Sequence, residues 1–86
     1  MNTPKHDKVL KEFGAHLQQL RKEKELSLRK LADIADMDFS YLHRVEKGES
    51  NPTLTTLLAL AGALEIDLCE LISYNNRLWF NIRWLT

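Results

Sequence analysis

The side chains able to do chemistry in this chain are few and scattered. None of its three histidines, His6, His16 and His43, lies near another His or near the single thiol, Cys69, at metal-ligand spacing. No metal and no cofactor is expected. Ser, His and Asp all occur, but in no recognisable nucleophile setting, and no Gly-rich phosphate loop is present. Enzymatic activity is therefore not expected. A more suggestive set is Phe39, Ser40, His43, Arg44 and Lys47, which share the outer face of one helical stretch while Leu42 and Val45 point the other way. Only Asp36-Met37 separates that stretch, Asp38 to Lys47, from a preceding one over Ser27 to Ala35. So short a connection forces a large crossing angle and leaves the start of the later helix projecting as a ridge. A ridge of this width fits the DNA major groove, where base edges carry a readable pattern. Spacing alone leaves two readings equal: a DNA-reading ridge, or the polar outer face that any helical hairpin shows.

The elements that must hold this ridge follow from periodicity. Leu10, Phe13, Leu17, Leu20 and Lys24, spaced 3, 4, 3 and 4, place one stripe on a first helix from about Pro4 to Lys24. Pro4 suits a first turn, where its missing N–H costs nothing. Ser27 is an N-cap residue for the second helix, with Leu28, Leu31, Ala32 and Ala35 on one face, and Asp38 caps the third. Gly48 supplies a left-handed stop, and Asn51-Pro52 marks a turn. Thr53 caps a fourth helix with Leu54, Leu57, Leu58, Ala61 and Leu64 expected inward, and Asp67 caps a short fifth carrying Leu68, Leu71 and Ile72. Five short helices predict an all-α bundle.

Composition agrees. Eighty-six residues make one small domain, 44% hydrophobic and 28% charged. One cysteine closes no intrachain disulfide, the N-terminal residues hold no apolar signal stretch, and the apolar run from Leu57 to Leu64 is far shorter than a membrane span. The expectation is a soluble, cytoplasmic domain with no membrane partner and no small-molecule ligand. Twelve basic residues balance twelve acidic ones, which excludes binding by bulk positive charge but not a locally basic face. Residues 1–48 carry 10 basic and 8 acidic side chains, residues 49–86 only 2 and 4. The half with the ridge is mildly positive.

The strings Leu26-Ser27-Leu28-Arg29-Lys30-Leu31-Ala32 and Tyr41-Leu42-His43-Arg44-Val45-Glu46-Lys47-Gly48, continuing through Pro52-Thr53-Leu54, closely resemble the phage-repressor and Cro type (XRE-type) helix-turn-helix family. The resemblance covers about residues 8–72. It implies a five-helix, lambda-repressor-like domain that regulates transcription as a homodimer on a pseudo-palindromic double-stranded DNA operator, with half-sites about 34 Å apart. It implies base contacts from Phe39, Ser40 and Arg44, with His43 alongside, and Arg44 suited to grip O6 and N7 of guanine. Phosphate contacts would come from Ser27, Arg29 and Lys30 at the second helix and from Lys47, Ser50, Asn51 and Thr53 after the third. Arg21 would meet Glu46 in a buried structural ion pair.

Two departures from the family pattern stand out. Leu28 replaces a usual Gln, and Asp36 a usual Gly in a left-handed corner. With Phe39 they raise an alternative: a protein-interaction module of the same fold, antitoxin-like, that scarcely binds DNA.

The last stretch, residues 74–86, reads as a separate arm. After Tyr74-Asn75-Asn76, the residues Leu78, Phe80, Ile82 and Trp84 alternate with Trp79, Asn81, Arg83 and Leu85, the pattern of an extended strand. A lone strand lacks a ladder partner. The expected division is thus a helix-turn-helix domain over 1–73 and a dimerisation arm over 74–86, pairing as a β-ribbon or an exchanged arm through Leu78, Trp79, Phe80, Ile82 and Trp84. A sixth helix packed on its own domain is the other reading. If the arm does not dimerise, Leu60 and Ile66 become the interface candidates.

Overall fold

The computed structural model describes residues 4–73. They form α1 (Pro4–Glu23), α2 (Leu28–Ala35), α3 (Phe39–Glu46), α4 (Leu54–Leu64) and α5 (Leu68–Ile72). Among the described residues there is no strand. The arm residues Leu78, Trp79, Phe80, Ile82 and Trp84 lie outside the described residues.

The predicted stripe on α1 is the spine of the core. Leu10, Phe13, Leu17 and Leu20 are all buried, each contributing about 1.5–3 kcal/mol by leaving water. Lys24 is not part of it, since α1 ends at Glu23 and Lys24 is exposed. α1 packs on α3 and α5, while α2 packs on α3 and α4. Leu31, Leu42, Val45, Leu60, Leu64 and Leu71 complete the interior.

Four of the five helices end in the same way. Glu25, Asp36, Gly48 and Glu65 adopt left-handed backbone with φ of 57°, 54°, 76° and 58°. In each case the next residue's N–H reaches five residues back: Leu26 to Arg21 O, Met37 to Ala32 O, Glu49 to Arg44 O and Ile66 to Ala61 O. These bonds satisfy carbonyls that the helix end would otherwise leave unpaired. Leu26, Met37 and Ile66 then pack against the core, so hydrophobic burial offsets the left-handed cost of about 1–2 kcal/mol at each non-glycine stop.

Two expectations about α4 fail. Leu54 and Leu58 are 63% and 51% exposed. The helix is apolar almost all round, so its sequence does not define a unique inward phase. Leu57, Leu60, Ala61 and Leu64 take the inward side, and at 100° per residue Leu58 is turned roughly 110° from its centre. Leu54, in the first turn, is left outside the same packing face. By the same geometry Leu60 is fully buried and cannot serve an interface between copies. At α5, Asp67 holds the N-cap position but makes no side-chain capping bond.

Candidate nucleic-acid interface

The geometry of the α2–α3 corner is set by three short-range interactions. Ser27 is extended (ψ 162°), and its hydroxyl accepts from the Lys30 N–H at 3.0 Å, starting α2. Asp36 takes the left-handed conformation that ends α2; Asp tolerates it better than most residues. Asp38 is extended again, and its Oδ2 accepts from the Tyr41 N–H at 2.9 Å, starting α3. Met37 between them packs into the core and pins the corner inward.

α3 is then anchored from behind. Leu42 and Val45 are buried. Arg21 and Glu46 are only 8% and 9% exposed, and the guanidinium grips the carboxylate with two bonds, Nε to Oε2 at 2.7 Å and Nη2 to Oε1 at 3.2 Å. Its Nη1 donates to the Leu26 carbonyl at 2.8 Å. One side chain thereby ties the end of α1, the connection to α2 and the end of α3. Among the described residues no buried side-chain polar atom lacks a partner.

Gly14 is a residue that helix periodicity passed over. A Cβ there would collide with the carbonyl of Glu46 and lie 2.7 Å from that of Val45, so only glycine lets α1 and α3 touch backbone to backbone. The signal was available: a glycine inside a helix costs about 1 kcal/mol against Ala, so its presence asks for a packing reason.

The outward face of α3 presents Ser40, His43 and Arg44, with Lys47 at its C-cap, all exposed. Arg44 lies beside the half-buried Tyr41, its Cζ 5.9 Å from the ring centroid. Phe39 is half-buried and packs on the core cluster instead of standing clear on the ridge. It is flanked by the Arg29 guanidinium, with Cζ 4.4 Å from its centroid, and by His43, whose ring is stacked at 6.2 Å and 19°. Leu28 also packs on the core. Ser27 and Lys30 are exposed beside Arg29 at the start of α2. Beyond α3, Lys47 and Asn51 are exposed and Ser50 is half-buried. The Thr53 hydroxyl is engaged in capping, accepting from the Thr56 N–H at 3.2 Å.

The family model described as Helix-turn-helix (HTH_3) matches residues 17–71. The immunity repressor protein of Bacillus phage phi105 is 39% identical over 59 residues, 69% of this chain and 41% of that protein. The control protein C.MunI of Mycoplasma sp is 40% identical over 62 residues, covering 71% of this chain and 84% of its own length. Among solved structures, the restriction-modification controller protein C.AhdI from Aeromonas hydrophila superposes with a TM-score of 0.71 at 44% identity, over 72% of this chain and 94% of that one. The chain thus spans about two fifths of the phage repressor and nearly all of the controllers.

Proposed function

The chain belongs to the HTH_3 helix-turn-helix family, and from that premise we propose that it is a sequence-specific regulator of transcription. It binds double-stranded DNA by laying α3 in the major groove, and works as a homodimer on a pseudo-palindromic operator. The observation that carries this reading is the ridge itself. Ser40, His43, Arg44 and Lys47 project together from a helix that is capped at its start and clamped to the core by a buried ion pair. Arg44 reads guanine; Lys47, Lys30 and the first-turn amides of α2 position the duplex through phosphates. Ser27, Asn51, Ser50 and Thr53 border the same backbone path.

Selection from random duplexes tests it. The parent chain should enrich a palindromic motif. Arg44→Ala should relax preference at one base of each half-site, at a cost of about 1–3 kcal/mol, while Lys47→Ala should weaken all sequences evenly and lower the salt slope by about one. If both variants bind like the parent, α3 is not the reading helix.

A protein-binding face of the same fold loses support. Of the three residues that suggested it, Leu28 and Phe39 pack against the core, and Asp36 forms the left-handed corner.

Dimerisation is assigned to the arm, residues 74–86. Truncation after Ser73 should give a monomer in sedimentation. If the truncated chain remains dimeric, the exposed pair Leu54 and Leu58 becomes the interface in place of Leu60.

A further inference from the structure

The resemblance to known repressors places Arg29 among phosphate contacts. Its surroundings point elsewhere. Arg29 is exposed near the start of α2, yet its guanidinium carbon lies 4.4 Å from the centroid of Phe39, the first residue of α3. Phe39 cannot drift, because its inner side packs on the core, Asp38 caps the turn that carries it and His43 stacks on it one turn later.

Contact with a ring uses none of the five guanidinium N–H donors. It does, however, restrict the long side chain before any ligand arrives, which lowers the ordering cost of binding. A guanidinium fork pairs with a phosphate as well as with a base edge, but only the base contact carries sequence preference. A planar fork held against Phe39, the first residue of the ridge, suits a flat acceptor pair such as O6 and N7 of guanine. Phe39 beside it is only half-buried and so keeps apolar surface suited to the C5 methyl of thymine.

We infer that Arg29 and Phe39 form one composite reader, in which Arg29 takes a guanine and Phe39 the methyl group of the thymine next to it. This rests on the DNA-binding reading above and deepens it by a specificity-determining residue from α2. Each half-site then holds a thymine–guanine neighbour pair in addition to the guanine read by Arg44.

The test uses the full 86-residue chain, with Arg29→Lys and Phe39→Ala. Lys keeps the positive charge but loses the planar fork; in a phosphate role the change would alter affinity for all duplexes alike and leave base preference untouched. The expected result is a selected motif containing adjacent T and G. Arg29→Lys should lose about 5- to 150-fold preference for that guanine while its affinity for duplexes lacking the guanine stays at the parent's level. Replacing the thymine by uracil should weaken the parent but not Phe39→Ala. Unchanged thermal unfolding of Arg29→Lys checks that the exposed substitution leaves the fold intact. If Arg29→Lys selects the parental motif with parental preference, or if uracil is without effect on the parent, the composite reader is overturned while DNA binding stands. A parent chain that enriches no duplex overturns both.

Discussion

Replacing Arg21 by Met probes how the reading helix is held. Arg21 makes three hydrogen bonds, two to Glu46 and one to the Leu26 carbonyl, from an almost fully buried position. Its removal leaves a carboxylate in the interior with no counter-charge, at a cost of about 3–5 kcal/mol. An 86-residue domain has about 4–13 kcal/mol of stability in all, so Arg21→Met should bring the protein close to unfolding. Glu46→Leu strands the guanidinium instead and should cost somewhat less, because the Leu26 carbonyl still accepts from it. The double variant carries neither buried charge. It should lose only about 1–3 kcal/mol, mainly from the Leu26 carbonyl left unpaired. Urea unfolding followed by circular dichroism gives all three values, provided the slope with denaturant stays constant. The reasoning is refuted if either single variant costs less than about 1 kcal/mol, or if the two losses simply add in the double variant.

The two helical glycines should respond in opposite directions. Gly14→Ala drives a methyl group into the carbonyls of Val45 and Glu46, so α1 and α3 must separate; about 1–3 kcal/mol of stability should be lost despite alanine's better helix propensity. Gly62→Ala meets nothing within 4 Å and should stabilise by up to about 1 kcal/mol. Urea midpoints of the two variants read both, and a stabilised Gly14→Ala would show that the helices are not in backbone contact. In DNA titrations, Gly14→Ala should also reduce affinity more than Gly62→Ala, since only the former displaces α3.

Local rules in the chain were enough for every helix start and for the stops at Asp36 and Gly48. Ser27, Asp38 and Thr53 cap through their own side chains, and Gly48 and Asp36 stand in the left-handed conformation that their types tolerate. Caps and stops depend on neighbours within five residues, so residue order alone carries them. The stripe on α1 was legible for a similar reason: polar residues surround it and leave one inward phase. On α4 that contrast is missing. Leu54 and Leu58 look as apolar as Leu57 and Leu60, and only the position of α2 and α5 against the helix decided which side went in.

The site divides along the same line. The type and outward phase of Ser40, His43, Arg44 and Lys47 could be read from helical spacing. The placement of Arg29 against Phe39 and the partner that Gly14 meets could not, and the Arg21–Glu46 pair was expected only from the family resemblance. Each joins residues from different helices, 10 to 32 positions apart in the chain. What the sequence determined by itself was the set of rods and their polar faces, because these arise from short-range hydrogen bonds and periodicity. What the tertiary structure decided was which faces meet, because packing depends on the shape and volume of partners that no local pattern contains.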